Sequence, residues 1–282
     1  CMNISVVIPS LGGNLCDTLD SINSSSVYPD EVIVCLPNDS HSIKNADRYE
    51  NLTVIYAGRY GQVYQRLYGF RKAKGNYILQ LDDDVIVSYN CIELLVDFLN
   101  KTQVKSAISP CWYNANTGKP LHQIRRSGLL MLFYYWLING ADGYKPGKVS
   151  LAGTNFGINP NEIKNEILSL DWQPGGCVLH KKENLILNDF YPYGGKAYSE
   201  DLMHSFLLRQ SGISLFVVMK ATCMTNINQR ILTRKEIISD FKARLYFVRM
   251  ADLSMIRMLI YYMIYIMKSV ILICAFKKSN LV

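Results

Sequence analysis

Residues 77–87 read YILQLDDDVIV, an apolar run that stops abruptly at Asp82, Asp83 and Asp84. Adjacent carboxylates repel one another and are costly to desolvate. A strand that ends on them either leaves them in water as a turn or presents them to something cationic. The flanking sequence supplies the frame. Upstream lie ISVVIP (4–9), EVIVCL (31–36) and LTVIYA (52–57), short runs rich in Val and Ile. Between the runs, LCDTLDSI (15–22) and GQVYQRLYGFRKA (61–73) carry helical spacing, with Val63, Leu67, Phe70 and Ala73 on one side. Strands alternating with helices of this length predict βαβ units and a parallel sheet. Unbroken apolar strands predict a sheet covered on both faces. Downstream, CIELLVDFL (91–99) reads as another helix and SAIS (106–109) as a strand. Ligands of such sheets bind beyond the carboxyl ends of the strands, where Asp82–Asp84 stand. That position favours a functional role over a solvated turn.

A chain of 282 residues with 49% hydrophobic and 19% charged residues is an ordered protein of one large α/β domain or two small ones. Its eight cysteines are scattered without a CxxC pair, so reduced thiols are expected rather than a zinc site or a disulfide framework. The opening, CMNISVVIPS, has no basic n-region and no cleavable apolar segment, and no secretory signal is expected. No GxGxxG follows the first run, which argues against a dinucleotide-dependent dehydrogenase.

Charge is unevenly spread. From Ala221 onward ten basic residues stand against three acidic ones, so this tail carries the whole net charge of +7. It includes MLIYYMIYIMKSVILICAF (258–276), in which Lys268 is the single charge. Basic residues around a long apolar stretch predict an anionic membrane surface as partner rather than nucleic acid. Lys268 weighs against a span, since a mid-bilayer lysine costs roughly 2.5–3.5 kcal/mol. At about 100° per residue, Ser254, Arg257, Tyr261, Tyr265 and Lys268 fall on one narrow stripe. The expectation is a helix over 250–276 lying in the interface on the cytoplasmic face of a membrane, its basic stripe toward the headgroups.

The aspartates suit a hard, partly hydrated divalent cation, Mg2+ or Mn2+, that also touches phosphate oxygens and acts as a Lewis acid on a diphosphate leaving group. Further on, WQPGGCVLH (172–180) reads as a tight Gly175–Gly176 turn before a strand. YSEDLMHSFLLRQSG (198–212) reads as a helix ended by Gly212, capped by Ser199, with Glu200 and Asp201 in its first turn. A carboxylate there can deprotonate an acceptor hydroxyl. His204 and His180 lack a third metal ligand and are read as structural. Residues 111–172 hold turn signals, a basic cluster (Lys119, His122, Arg125, Arg126) and the apolar run LLMLFYYWLI (129–138).

Together VVIPS (6–10), GQVYQRLYGFRKAKGNYILQLDDDV (61–85), PGGCVLHKKENL (174–185) and YSEDLMHSFLLRQSG come in an order and spacing that resembles the family 2 glycosyltransferases, over residues 2–219. The resemblance implies a GT-A fold, a Rossmann-like, mostly parallel sheet flanked by helices. It divides the chain into a nucleotide-sugar-binding half (2–110), an acceptor-binding half (111–220) and a helical membrane-association segment (221–282). It makes the aspartates a DXD motif, with Asp82 near the ribose, Asp83 in the variable middle position, and Asp84 and Asp82 holding the metal. It sets Pro9, Ser10, Asp39 and Arg66 on the nucleotide sugar and Trp172, Gly175 and Gly176 on the acceptor side. Asp201 becomes the general base of an inverting transfer, with Glu200 beside it.

Two departures matter. The second strand ends in CLPND (35–39), so Leu36 and Pro37 replace an acidic pair common in the family, and Asp39 is the substitute. The QxxRW motif of processive members is absent, NINQR keeping only Gln229 and Arg230, which implies transfer of a single sugar. The implied enzyme moves a sugar from a nucleotide-sugar donor to a glycan or lipid-linked glycan acceptor in bacterial surface polysaccharide (O-antigen or capsule) synthesis. A nucleotidyltransferase attacking at phosphorus and an inactive sugar-binding or scaffold protein are the alternatives.

Overall fold

The computed structural model describes residues 3–122, 128–226 and 233–279. The first part alternates as its pattern predicts, through β1 (Ile4–Pro9), α1 (Cys16–Asn23), β2 (Glu31–Leu36), β3 (Leu52–Tyr56), α2 (Gln62–Lys72) and β4 (Tyr77–Leu81). The run quoted above then breaks at its carboxylates. The chain turns at Asp82–Asp84, and β5 (Val85–Val87) leaves to pair with a distant strand. There follow α3 (Cys91–Lys101), β6 (Ser106–Asn114), α4 (Leu129–Asn139), β7 (Ile167–Leu170), β8 (Cys177–Lys181), α5 (Glu200–Gln210), β9 (Ser214–Thr225), α6 (Arg234–Met250) and α7 (Met255–Ser279).

Among the described residues the strands form one sheet, ordered β3-β2-β1-β4-β8-β6-β9-β5, with β7 on β9. β1 to β4 are mutually parallel, while β8 runs antiparallel between β4 and β6. A division at 110/111 falls inside β6, so the two expected halves share one sheet. β6 shifts register against β9 between Pro110 and Cys111, as expected where a proline cannot donate to the ladder. Strand alternation sorts the core into two layers. Ile4, Val6 and Ile8 pack with α1 and α3, whereas Val7, Ile33 and Ile78 pack with α2, α5 and α6.

The chain leaves β1 toward β2 and β3, then returns on the other side as β4. This reversal opens a crevice beyond the ends of β1 and β4, where Ser10 and Asp82–Asp84 lie. Gln65, buried on α2, clamps it. Its Nε2 donates to the carbonyls of Ser10 (2.8 Å) and Cys35 (2.7 Å), and its Oε1 accepts from the Gly61 amide (3.2 Å).

The run 129–138 is α4, and α7 packs along it. Here the tail departs from expectation. Its basic stripe faces α4 instead of headgroups. Arg257 Nη1 donates to the carbonyls of Trp136 (2.8 Å) and Leu137 (2.6 Å) in the last turn of α4, where the helix dipole favours a cation. Tyr261 joins the α4 aromatic cluster, and Lys268 Nζ sits 5.1 Å from the centre of the Tyr134 ring. The neighbouring helix offers carbonyls and ring faces that hold cations well. Among the described residues no helix is long and apolar enough to cross a membrane. Arg125, Arg126, Gln229 and Arg230 lie outside the described residues.

Candidate active site

One buried arginine organises the carboxylates. Arg66, only 2% exposed, donates from Nη2 to Asp82 Oδ1 (3.0 Å) and from Nη1 to both carboxylate oxygens of Glu200 (2.9 and 3.0 Å). A single guanidinium thus ties α2, the Asp82 turn and the start of α5 together, using the fork geometry that suits paired carboxylates. Gln62 Nε2 adds a second donor to Asp82 Oδ1 at 3.2 Å, and the Asp82 amide donates to the Gly176 carbonyl at 2.9 Å. Arg66 is therefore corrected from a nucleotide contact to a strap beneath the site. Glu200, expected beside the base as a catalytic group, is buried and committed to Arg66. Burial pushes its carboxyl up while Arg66 pulls it back.

Asp201 has a different environment. It is half-buried, its Oδ1 accepts from the Leu202 amide at 2.9 Å, and among the described residues no ion pair reaches it. Burial, then the neighbouring Glu200, push its carboxyl up to about 7. The local backbone separates the two acids. Ser199 adopts a left-handed conformation (φ 54°) and makes no side-chain cap, because an N-cap hydroxyl aims at the helix amides from extended backbone. The expected Ser199 cap is thus replaced by a sharp turn into α5, which starts with Glu200 buried and Asp201 half-buried.

Asp83 accepts from Ser10 Oγ at 2.5 Å, and its carbonyl accepts from Thr18 Oγ1 at 3.0 Å. Burial raises its carboxyl, and the Ser10 bond opposes that shift. Asp84 is exposed, its Oδ2 within 3.3 Å of Thr225 Oγ1. Its carboxyl is raised by burial and by Asp82, with Lys196 acting in the other direction. Among the described residues no cluster of three His, Cys, Asp or Glu side chains forms a closed metal cage. The residues nevertheless fit a hydrated Mg2+ or Mn2+, which uses one or two carboxylates together with substrate phosphates. Asp84 faces solvent, and Asp82 keeps Oδ2 beyond the Arg66 bond. Their mutual repulsion is the charge excess a cation would relieve.

The glycine pair acts by close approach. A Cβ on Gly176 would stand 2.7 Å from the Trp112 ring and 3.0 Å from Asp82 Oδ2, and one on Gly175 would collide with Glu200 Oε1. Gly176→Ala should therefore destabilise the fold by about 1–3 kcal/mol through overpacking and lower turnover by displacing Asp82. Thermal melting beside a rate assay checks both, and an unchanged melting temperature would show that Trp112 yields freely. Trp172, expected on the acceptor, is buried. Its Nε1 donates to the Phe156 carbonyl at 3.0 Å and its ring meets His122 edge-on, so it packs in the core rather than presenting a face to a ligand. His180 and His204 are buried with ring centres 5.6 Å apart, and burial holds both neutral, His180 being lowered to about 3.

A cavity of about 390 Å³ at the switch point is lined by Pro9, Ser10, Leu11, Tyr60, Gln62, Asp83 and Lys196. Pro9, Ser10 and Asp83 were expected there. Tyr60, Gln62, Gln65 and Lys196 were not, and the one signal available was the polar pair Gln62 and Gln65 on a helix that otherwise packs apolar residues on the sheet. Beyond Tyr60 the cavity continues into a cleft lined by Arg59, Tyr64, Tyr191 and Tyr193, where the Arg59 guanidinium stacks 3.6 Å from the Tyr64 ring centre. Asp39, expected on the nucleotide, is exposed and outside this lining. Its turn reaches the cavity through His41, whose ring packs edge-on against Tyr60.

Residues 5–159 match the sequence model of the family described as glycosyl transferase family 2. No curated protein sequence matches. Among solved structures, GalNAc-T7 with UDP, GalNAc and Mn2+ aligns at a TM-score of 0.59 and 20% identity, over 81% of this chain and 44% of its own. Residues 1–349 of S. aureus TarS, in complex with UDP-GlcNAc, align at 0.54 and 13% identity, over 90% of this chain and 68% of that one. The chain thus spans less than half the length of GalNAc-T7. The family match covers more than half the sequence: the chain belongs to glycosyl transferase family 2 and has the GT-A fold.

Proposed function

We propose that the protein transfers one sugar from a nucleotide-sugar donor to a glycan acceptor with inversion at the anomeric carbon. The observation that carries this reading is the division of labour across Arg66. The Asp82–Asp84 turn lies on one side of this guanidinium, and on the other α5 begins with Glu200 and the half-buried Asp201, whose carboxyl is raised. The donor diphosphate lies against Ser10, Lys196 and the Asp84 side of the turn. Asp201 takes the proton of the acceptor hydroxyl as its oxygen bonds to the anomeric carbon and the bond to the departing diphosphate breaks. Asp84, with the outer oxygen of Asp82, would hold Mg2+ or Mn2+, whose charge stabilises the leaving group. The Mn2+ in the GalNAc-T7 structure supports that choice. The acceptor is a lipid-linked glycan of bacterial surface polysaccharide synthesis, met on the cytoplasmic face of the membrane, a setting supported by the basic, apolar tail.

The test is incubation with a panel of nucleotide sugars and oligosaccharide acceptors, with the anomeric configuration of the product read by NMR. Release of nucleoside diphosphate and an inverted product are expected. Release of pyrophosphate would identify a nucleotidyltransferase, and inertness toward every donor would favour a sugar-binding scaffold. Asp84→Asn should raise the Mn2+ needed for half-maximal activity about tenfold or more while leaving the melting temperature at or slightly above the parent value at neutral pH, because it removes a charge that Asp82 repels. Full activity of that variant in EDTA would remove the metal from the mechanism.

A further inference from the structure

The outward faces of α4 and α7 carry no polar side chain over a wide arc. On α4 the exposed residues are Leu129 (87%), Leu130 (81%), Leu132, Phe133 and Trp136, which at the helical repeat cover about 160° of the helix surface. On α7 they are Met255, Ile256 (73%), Leu259, Met263, Ile266 and Met267, covering about 120°. A helix on a soluble surface normally turns polar residues outward. Here Arg257 of the polar stripe is spent on α4 carbonyls, and Lys268, itself exposed, lies over the Tyr134 ring of α4. The two apolar arcs therefore belong to one packed pair of helices, which exposes more large apolar side chains than a monomeric surface normally gathers in one place.

We infer that α4 and α7 together form the surface that seats the protein on an anionic lipid bilayer, with both apolar arcs entering the headgroup–acyl boundary. Charge selects this occupant. Residues 253–282 and 128–141 contain no Asp or Glu, while Arg257, Lys268, Lys277 and Lys278 belong to the first segment and Arg125 and Arg126 precede the second in the sequence. Pairing this face with a second copy would set like charge against like. An anionic bilayer meets no such conflict, because its acidic headgroups attract the net positive charge these segments carry in the sequence. The surface is fixed to the acceptor side of the site. The Leu151 amide donates to Asn139 Oδ1 of α4 (3.0 Å), the Ser254 amide before α7 donates to the Leu151 carbonyl (2.9 Å), and Phe156 of the same loop accepts from Trp172. An acceptor held in the bilayer by a lipid would thus meet the enzyme on that side.

This deepens the membrane placement proposed above, and it can fail while sugar transfer stands. Full-length protein is sedimented with vesicles of phosphatidylcholine containing phosphatidylglycerol, and with phosphatidylcholine alone. Binding is expected chiefly to the first, weakening with salt. Leu130→Glu with Phe133→Glu on α4, and separately Ile256→Glu with Met263→Glu on α7, should each lower vesicle affinity about tenfold or more. The rate with a short water-soluble acceptor and the melting temperature should stay at the parent values, since these side chains face solvent. An α4 pair that binds like the parent would return the contact to the tail alone and overturn the inference. So would a parent that ignores both vesicles, or substitutions that turn a dimer into a monomer without changing vesicle binding, which would assign the face to a second copy.

Discussion

Asp201→Asn should lower the transfer rate by about 10²–10⁴, the usual worth of a general base, while the donor still binds at the crevice formed by Ser10 and Asp82–Asp84. The substitution keeps the shape and retains an oxygen for the Leu202 amide, so the loss reports proton transfer. The parent enzyme should show a rising limb in its pH–rate profile near 7, because Asp201 accepts a proton only when ionised and its carboxyl is raised to about 7. The variant should lack that limb. Stability moves the opposite way. A carboxyl raised in the folded state binds protons more tightly than in the unfolded chain, so stability is lost as pH rises from the normal carboxylate range through about 7. Above that pH the variant escapes this penalty and should be more stable than the parent by roughly 1–3 kcal/mol, with little difference in acid. Urea unfolding at two pH values beside the rate measurement checks all of this. A parent rate in Asp201→Asn would move the base elsewhere, with Glu200→Gln the next variant to assay.

Arg66→Met should destabilise the protein by about 3–5 kcal/mol, because removing one partner of a buried ion pair strands the others without compensation. Methionine restores much of the volume, so the loss is electrostatic. Glu200 and Asp82 would then face each other without a cation between them. The sign with pH follows. The buried Glu200 carboxyl rises further when Arg66 leaves, so the variant loses most stability at neutral and alkaline pH and recovers part of it in acid as Glu200 takes up a proton. Turnover should collapse as well, since the strap that sets α5 against the Asp82 turn is gone. Arg66→Lys should fall between, an ammonium being unable to bridge both acids with the same fork. Chemical unfolding at neutral and acidic pH is the measurement. A loss below about 1 kcal/mol would show that water replaces the guanidinium, contrary to the closed setting described here.

The fold was largely legible because its determinants are local. The runs at 4–9, 31–36, 52–57 and 77–81 are apolar apart from Ser5, Glu31, Thr53 and Gln80, and Val63, Leu67 and Phe70 repeat at helical spacing, so period and length give short strands alternating with helices. The carboxylates were legible for a related reason. Three charges at a strand end are a local anomaly, and strand ends are where such sheets bind ligands. Asp201 could be singled out beside Glu200 only by the resemblance, since one sequence position gives no measure of burial.

What the sequence by itself determined is therefore the set of elements and the short list of acids. The tertiary structure decided how those acids divide their work. Arg66 lies 16 residues from Asp82 and 134 from Glu200, and no periodicity records that one guanidinium reaches both. The same holds for Gln65 on the carbonyls of Ser10 and Cys35, and for the glycine pair, whose need for a bare backbone appears only once Trp112 and Glu200 arrive from elsewhere. It holds most clearly for α7, where a helical wheel finds a basic stripe but cannot say which way it faces. That direction is fixed by α4, more than a hundred residues away in the chain, whose end carbonyls and tyrosine ring hold the cations and leave the apolar arc outside. Period is a property of neighbours along the chain, whereas orientation and charge pairing belong to neighbours in space.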